Sequence, residues 1–226
     1  MEASLAYAFE SLSPRLPDSH TYTVKVRRTF SSGSLALEAI RTRRFSRWDE
    51  AVAADGFLDL WRRAYGNLRL QAGIDNEVLP RMESTVEIFQ GFGEGWELSG
   101  SYRYTHSSEE NVDVYGVSLA KYVGDWFLRW RAAFVPKREG LSFSHAFFMR
   151  RYFETVDDFA EFGAGAGREV GASSTGLGKE IRRPYLLSFR AQKFFLTWLG
   201  VSISANYSND NLAPRRVVSV GIIMRW

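Results

Sequence analysis

From Leu5 to Trp226 apolar and polar residues alternate with a period of two, segment after segment, and that rhythm leaves few folds open. The last segment, Arg215–Trp226, reads RRVVSVGIIMRW. Val218, Val220, Ile222, Met224 and Trp226 fall on one face of an extended strand. Arg215, Val217, Ser219, Gly221, Ile223 and Arg225 fall on the other, because successive strand side chains point to opposite faces. A strand with one apolar face that finishes on an aromatic suits a wall with lipid on one side and a membrane boundary at its end.

The same reading applies along the chain. Leu5, Tyr7 and Phe9 form one face of the first segment. Val24 and Val26 oppose Lys25 and Arg27; Leu35 and Leu37 oppose Glu38. In Ala51–Trp61, Val52, Ala54, Leu58 and Leu60 oppose Asp55 and Asp59. Leu68 and Leu70 flank Arg69, and Val86 and Ile88 flank Glu87. Trp96, Leu98, Tyr102 and Tyr104 oppose Glu97 and Arg103, and Trp126, Leu128 and Trp130 oppose Arg129 and Arg131. Phe147 and Met149 oppose Phe148 and Arg150, Phe162 opposes Glu161, and Leu187 and Phe189 oppose Arg190. The cleanest alternation sets Leu199, Val201, Ile203, Ala205 and Tyr207 against Gly200, Ser202, Ser204, Asn206 and Ser208. Fourteen segments of about ten residues, the length a tilted strand needs to cross a bilayer, predict an all-β fold. It is an antiparallel up-and-down transmembrane β-barrel of about 14 strands, with 12 or 16 as alternatives. The barrel takes up residues 1–226 as one domain.

Composition agrees. No run approaches the roughly 20 apolar residues of a membrane helix, and the mean hydropathy of −0.23 is what a wall with one polar face gives. Aromatic residues make up 15%. A net charge of +3 is too mild for a nucleic-acid binder, so no nucleic-acid partner is expected. The absence of cysteine excludes a disulfide scaffold and thiolate metal sites. The opening MEASLAYAFE lacks the basic and apolar regions of a secretory leader. A mature chain is therefore expected, with a leader, and a larger periplasmic portion, upstream of Met1.

Two further patterns follow from the segment assignment. Connections after the even segments read as short turns, whereas those after the odd ones are mostly longer and more polar, the longest being Val170–Glu180. This asymmetry is that of a membrane barrel with periplasmic turns and outer loops, both termini facing the periplasm. Trp61, Trp96, Trp126, Trp198 and Trp226 all fall at the short-turn ends and form a periplasmic aromatic girdle. Tyr22, Tyr104, Phe134, Phe143, Tyr185 and Tyr207 lie toward the opposite rim. The predicted location is the bacterial outer membrane, with its lipid and lipopolysaccharide as surroundings, and the predicted state is a monomer.

Gly95-Trp96-Glu97-Leu98-Ser99 with Tyr102-Arg103-Tyr104, Ser118-Leu119-Ala120-Lys121-Tyr122-Val123-Gly124, and Gly140-Leu141-Ser142 running into Arg150-Arg151-Tyr152-Phe153 resemble the YaiO family of outer-membrane β-barrel proteins. The resemblance extends from about Ser34 to the end. Its motifs are wall residues, not a catalytic signature. It implies a barrel associated with synthesis and export of surface polysaccharide, together with periplasmic export components.

The inward face collects Lys25, Arg27, Arg69, Arg103, Arg129, Arg131, Arg150 and Arg190, with Glu38, Asp55, Asp59, Glu87, Glu97 and Glu161. Such a lining can guide an anionic or strongly hydrated polymer by point charges and guanidinium hydrogen bonds. It can equally form ion pairs that stiffen the wall and fill the lumen, since charges inside a protein must be paired. Gly163, Gly165 and Gly167 lie inward beside Phe148 and Tyr152, as a smooth channel wall or as glycines covered by aromatics.

An enzyme would have to use the three histidines. His106 and Ser108 have the spacing of outer-membrane phospholipase chemistry, but lie where the strand runs into the loop SSEEN with no evident Asn alongside. His145 points toward lipid and His20 reads as a loop residue. No catalytic residue, metal centre or cofactor is expected. The predicted function is a channel for exopolysaccharide or surface-polymer export. A lipid hydrolase and a closed anchoring barrel are the alternatives.

Overall fold

The computed structural model describes residues 1–11, 17–74, 79–108, 110–172, 179–209 and 214–226. Its strands are β1 (Glu2–Ser11), β2 (Ser19–Phe30), β3 (Gly33–Arg44), β4 (Arg47–Trp61), β5 (Ala64–Ile74), β6 (Met82–Phe92), β7 (Trp96–His106) and β8 (Asn111–Val123). There follow β9 (Trp126–Lys137), β10 (Gly140–Tyr152), β11 (Phe159–Ala172), β12 (Lys179–Arg182), β13 (Tyr185–Leu196), β14 (Leu199–Asn209) and β15 (Pro214–Arg225). Each of fourteen strands pairs antiparallel with its neighbours, β11 with β13, and β1 pairs with β15, so the sheet closes on itself. The short β12 lies outside that ring, pairing among the described residues with the last four residues of β11. Closure leaves no unpaired strand edge in the ring, which a sheet bathed in lipid requires.

The alternation sets the wall. Leu37, Val52, Leu68, Val86, Leu98, Val117, Trp130, Phe147, Phe162, Leu187, Ile203 and Val220 all stand exposed on the outer surface. Small or polar residues such as Ala36, Ala51, Ala53, Ser99 and Ser118 are buried inside. In a water-soluble sheet this pattern would be inverted; here the apolar side belongs to the lipid.

The connections correct the sequence reading in four places. The β3–β4 connection is a two-residue turn, because β4 begins at Arg47 rather than near Ala51 and Arg44 pairs with Arg47. Phe45 and Ser46 both take positive φ there, 52° and 62°, the condition for a tight hairpin that matches the twist of its strands. The β9–β10 connection is equally short. Val170–Ala172 continue β11 and Lys179–Arg182 form β12, so the expected long loop is strand at both ends; residues 173–178 lie outside those described. On the other rim the β10–β11 connection spans six residues, 153–158.

That six-residue turn is tied down by Asp158, only 2% exposed. Its Oδ1 accepts the Phe194 N–H at 2.8 Å, and Lys193 Nζ stands 3.4 Å from Oδ2. β13 runs past the start of β11, and the carboxylate takes over the place of the missing ladder partner. The Phe194 N–H, with Lys193 beside it, holds the Asp158 carboxyl below its ordinary value. A depressed carboxyl stabilises the fold above its unfolded pKa and loses that contribution as pH falls through the folded value. Asp158→Ala is therefore expected to lower resistance to urea by about 1–3 kcal/mol at pH 7. Its deficit relative to the parent chain should shrink from about pH 4 downward. A deficit independent of pH would show that the carboxylate charge contributes nothing.

Candidate functional site: the barrel lumen

Three clusters of inward-facing charge, differing in their pairing, stand within the barrel, while Glu10 with Arg44 and Arg215, and Glu2 with Arg27 and Arg225, pair toward the two rims. On β2–β5, Glu38 is the hub. Its side chain, 9% exposed, takes Lys25 at 2.9 Å on one oxygen and Arg69 at 2.7 Å on the other. Asp55 accepts a hydrogen bond from Asn67 Nδ2 at 2.7 Å and lies 3.7 Å from Lys25. This quarter of the lumen is closed on itself by ion pairs.

A second cluster runs across four strands. Glu87 on β6 accepts Ser99 Oγ at 2.6 Å and Arg129 Nη2 from β9, with Arg131 at 3.6 Å. Arg129 Nε also donates to Ser118 Oγ at 3.0 Å, and Ser118 and Ser99 share a hydrogen bond of 2.6 Å. Two serines, one on β7 and one on β8, are small enough for the Arg129 side chain to lie over them and reach Glu87. Nearby, Glu97 accepts the Tyr65 hydroxyl at 2.9 Å, and the Tyr65 ring stacks on Phe89 at 4.4 Å.

The third cluster sits on β10–β13. Arg150 donates to Glu161 at 2.7–2.8 Å and lies 4.4 Å over the Phe159 ring. Arg190 covers the same ring at 5.4 Å. The packing reading holds for the glycine stripe at Gly163, where a side chain would meet the Phe148 ring at 2.6 Å. The missing Cβ lets that ring lie flat against β11.

Among the described residues Arg103 and Arg190 make no ion pair, and Arg131 has only its longer contact to a carboxylate already engaged by Arg129. Arg27 contacts Glu2 at 3.7 Å in the periplasmic mouth. Asp59 faces the same mouth, exposed and unpaired among the described residues. Of the residues expected to line the lumen, Lys25, Glu38, Asp55 and Arg69 meet in the first cluster, Glu87, Arg129 and Arg131 in the second, and Arg150, Glu161 and Arg190 in the third.

Open space of about 650 Å³ sits in the periplasmic mouth among Glu2, Arg27, Asp157 and Arg225, and further space lies across the lumen from the Glu38 hub. A cavity of about 470 Å³ lies between Phe148, Glu161 and Arg190 on one side and Ser188, Ser202, Ser204, Asn206 and Ser219 on the other. A second, of about 370 Å³, shares its Phe148 and Leu186 walls and reaches Arg131 and Ser144. A third, about 290 Å³, continues past Ala133 and Ser144 to Arg103. Among the described residues, the inward positions of β14, Ser202, Ser204, Asn206 and Ser208, contribute hydroxyls and an amide and no charge. The lumen thus has a salt-bridged half and a hydroxyl-lined half, with three weakly compensated guanidinium groups facing the open part. Sequence alternation finds the residues but not this division, because pairing depends on which side chains can reach across two or three strands.

The five girdle tryptophans, Trp61, Trp96, Trp126, Trp198 and Trp226, all stand exposed at the short-turn rim. Lys121 lies 4.9 Å over Trp96 and Arg151 5.5 Å over Trp126. Of the histidines, His145 faces outward beside Phe143 as expected. His20 belongs to β2 rather than a loop, and its Nδ1 meets the Tyr7 hydroxyl at 2.7 Å. His106 does have an Asn alongside: Nδ1 lies 2.5 Å from Asn111 Oδ1, because the β7–β8 register sets the two opposite. No nucleophile completes the pair among the described residues. Ser107 Oγ donates to the Glu110 carbonyl at 2.8 Å, and Ser108 makes no hydrogen bond to His106.

The fold recurs among solved outer-membrane proteins. Omp33 of Acinetobacter baumannii aligns over 100% of this chain and 98% of its own, with a TM-score of 0.57 and 10% identity. A bacterial polysaccharide outer membrane secretin aligns over 100% and 98%, at 0.55 and 10%. The KdgM porin aligns over 99% of both chains, at 0.51 and 11%. No curated protein sequence matches. The family model for the YaiO membrane beta barrel domain matches residues 1–170, reaching the N-terminal strands and stopping short of the C-terminus, where the sequence resemblance runs from about Ser34 to the end. With fourteen lipid-facing strands closed into a ring, the chain belongs to the YaiO membrane beta barrel family and is a porin-like barrel of the bacterial outer membrane.

Proposed function

We propose that the barrel is a conduit for a hydrated, anionic surface polymer, with exopolysaccharide as the substrate class, rather than an enzyme. The observation that carries this reading is the asymmetry of the lumen. Among the described residues, the inward cations left with weak compensation or none, Arg103, Arg131 and Arg190, border the open half. Guanidinium groups hold carboxylates and sulfates bidentately. The facing serines and Asn206 offer exchangeable hydrogen bonds to sugar hydroxyls, weak enough singly to let a chain move on. Fourteen strands lie between the small barrels that side chains fill and the wide ones that hold an aqueous channel, so the lining decides. At the level of fold alone, the polysaccharide secretin and a KdgM porin in complex with disordered oligogalacturonate share this architecture. On this reading the barrel works as a monomer and hands its cargo over from periplasmic export components.

In planar bilayers the protein is expected to conduct weakly and to prefer anions. Changing Arg103, Arg131 and Arg190 to Ser together should abolish the preference while leaving Arg129 and Glu87 paired. Added anionic oligosaccharide should block the parent protein and not the triple variant. A silent parent and a silent triple variant would mean a sealed lumen, and the anchoring barrel would replace the conduit.

A further inference from the structure

The outer surface carries a second concentration of cations, independent of the lumen. Near the β3–β4 turn two rows of side chains face outward across neighbouring strands. Tyr22, Arg41 and Glu50 are register partners in one row; His20, Arg43 and Trp48 are partners in the next. Arg41 lies 4.4 Å over the Trp48 ring and Arg43 6.0 Å from it. Tyr22 stands 6.3 Å from the same indole and 5.3 Å from Tyr7. Toward the membrane centre the same face continues as Val24, Ala39 and Val52, then Val26, Leu37 and Ala54, all apolar. The guanidinium groups therefore stand where the acyl band ends and the outer headgroups begin.

Charge there is not balanced. Arg41 meets Glu50 at 3.3 Å, with both side chains more than half exposed, 56% and 54%. Arg43 makes no ion pair among the described residues. Two arginines on one strand face, flanking an indole at the edge of lipid, leave a net positive charge open to an anion from outside the chain. Because the apolar band begins directly below, that anion must belong to a molecule whose tails can lie along it. Planar guanidinium groups match phosphate bidentately, and the Trp48 and Tyr22 faces are flat surfaces for a sugar ring.

We propose that this patch binds the phosphorylated sugar headgroup of an outer-leaflet glycolipid, the chemistry of lipopolysaccharide. Arg41 and Arg43 hold its phosphate, Trp48 and Tyr22 pack on its sugar, and Glu50 weakens the site by competing for Arg41.

The test is native mass spectrometry of the full chain in mild detergent with purified lipid A carrying its phosphates, lipid A stripped of phosphate, or phosphatidylglycerol. A one-to-one adduct with phosphorylated lipid A is expected, at least tenfold weaker for the phosphate-free form and for phosphatidylglycerol. Arg41→Ser with Arg43→Ser should lose it, Arg41→Lys with Arg43→Lys should keep part of it, and Glu50→Gln should tighten it. Heat-modifiable gel migration confirms that each variant is folded. Equal retention by the folded double-serine variant, or equal binding of phosphate-free lipid A, overturns the proposal. So does equal binding of phosphatidylglycerol, which would leave a general anionic-lipid anchor.

Discussion

Ile203→Arg is expected to destabilise the barrel by roughly 2–4 kcal/mol and Ser202→Arg by far less, though the two positions are adjacent. Ile203 stands exposed on the outer face of β14, between Ala191 and Val220 on the neighbouring strands. A guanidinium group there has no carboxylate and no water within the apolar band. Ser202 lines the 470 Å³ cavity, where an added arginine finds water and serine hydroxyls. Urea titration of refolding into lipid vesicles reads the difference. The Ser202 variant should also conduct less, since the new side chain occupies the open half. Equal losses at the two positions would mean that β14 does not present Ile203 to lipid.

Glu87→Ala should have an effect of similar size, through what it leaves behind. Glu87 is the shared acceptor of Ser99, Arg129 and Arg131, and is itself buried. Removing it strands two guanidinium groups beside each other, and breaking a buried pair costs about 3–5 kcal/mol. Arg131 is 41% exposed to the lumen, which places the expected loss at the low end of that range. The variant that folds should be more anion-selective than the parent, because a carboxylate has gone and both cations remain. Glu87→Gln should recover part of the stability, through the Ser99 hydrogen bond, but should stay as anion-selective as Glu87→Ala. Unchanged stability and unchanged reversal potential in Glu87→Ala would show that the four-strand chain of hydrogen bonds is not formed.

Most of the wall could be read from the sequence because its physics is local. A period of two assigns each side chain to one face, and only the lipid-facing set can be uniformly large and apolar. The turn at Phe45-Ser46 could not be read this way. It carries neither Gly nor Asn, so nothing in its composition announces positive φ, and the polar residues around it resembled a loop. β12 is four residues long and has no neighbour beyond β11, too little for periodicity to register. The His106–Asn111 contact was within reach, because a four-residue connection sets those positions opposite each other once the strand ends are fixed. The lumen's division was not. Glu87 and Arg129 are 42 residues apart, and their meeting depends on Ser99 and Ser118 both being small.

Neighbouring strands in this ring are joined by short connections, with a single exception. The β1–β15 seam brings together residues up to 225 positions apart, and it carries ion pairs near both ends, Glu2 with Arg225 and Glu10 with Arg215. Closing a loop of about two hundred residues instead of about ten costs roughly 2.5 kcal/mol more in chain entropy. Hairpins can zip one after another from any point, but the seam can form only when both of its partners are already ordered. It should be the last junction to form during insertion, and the first to open under force.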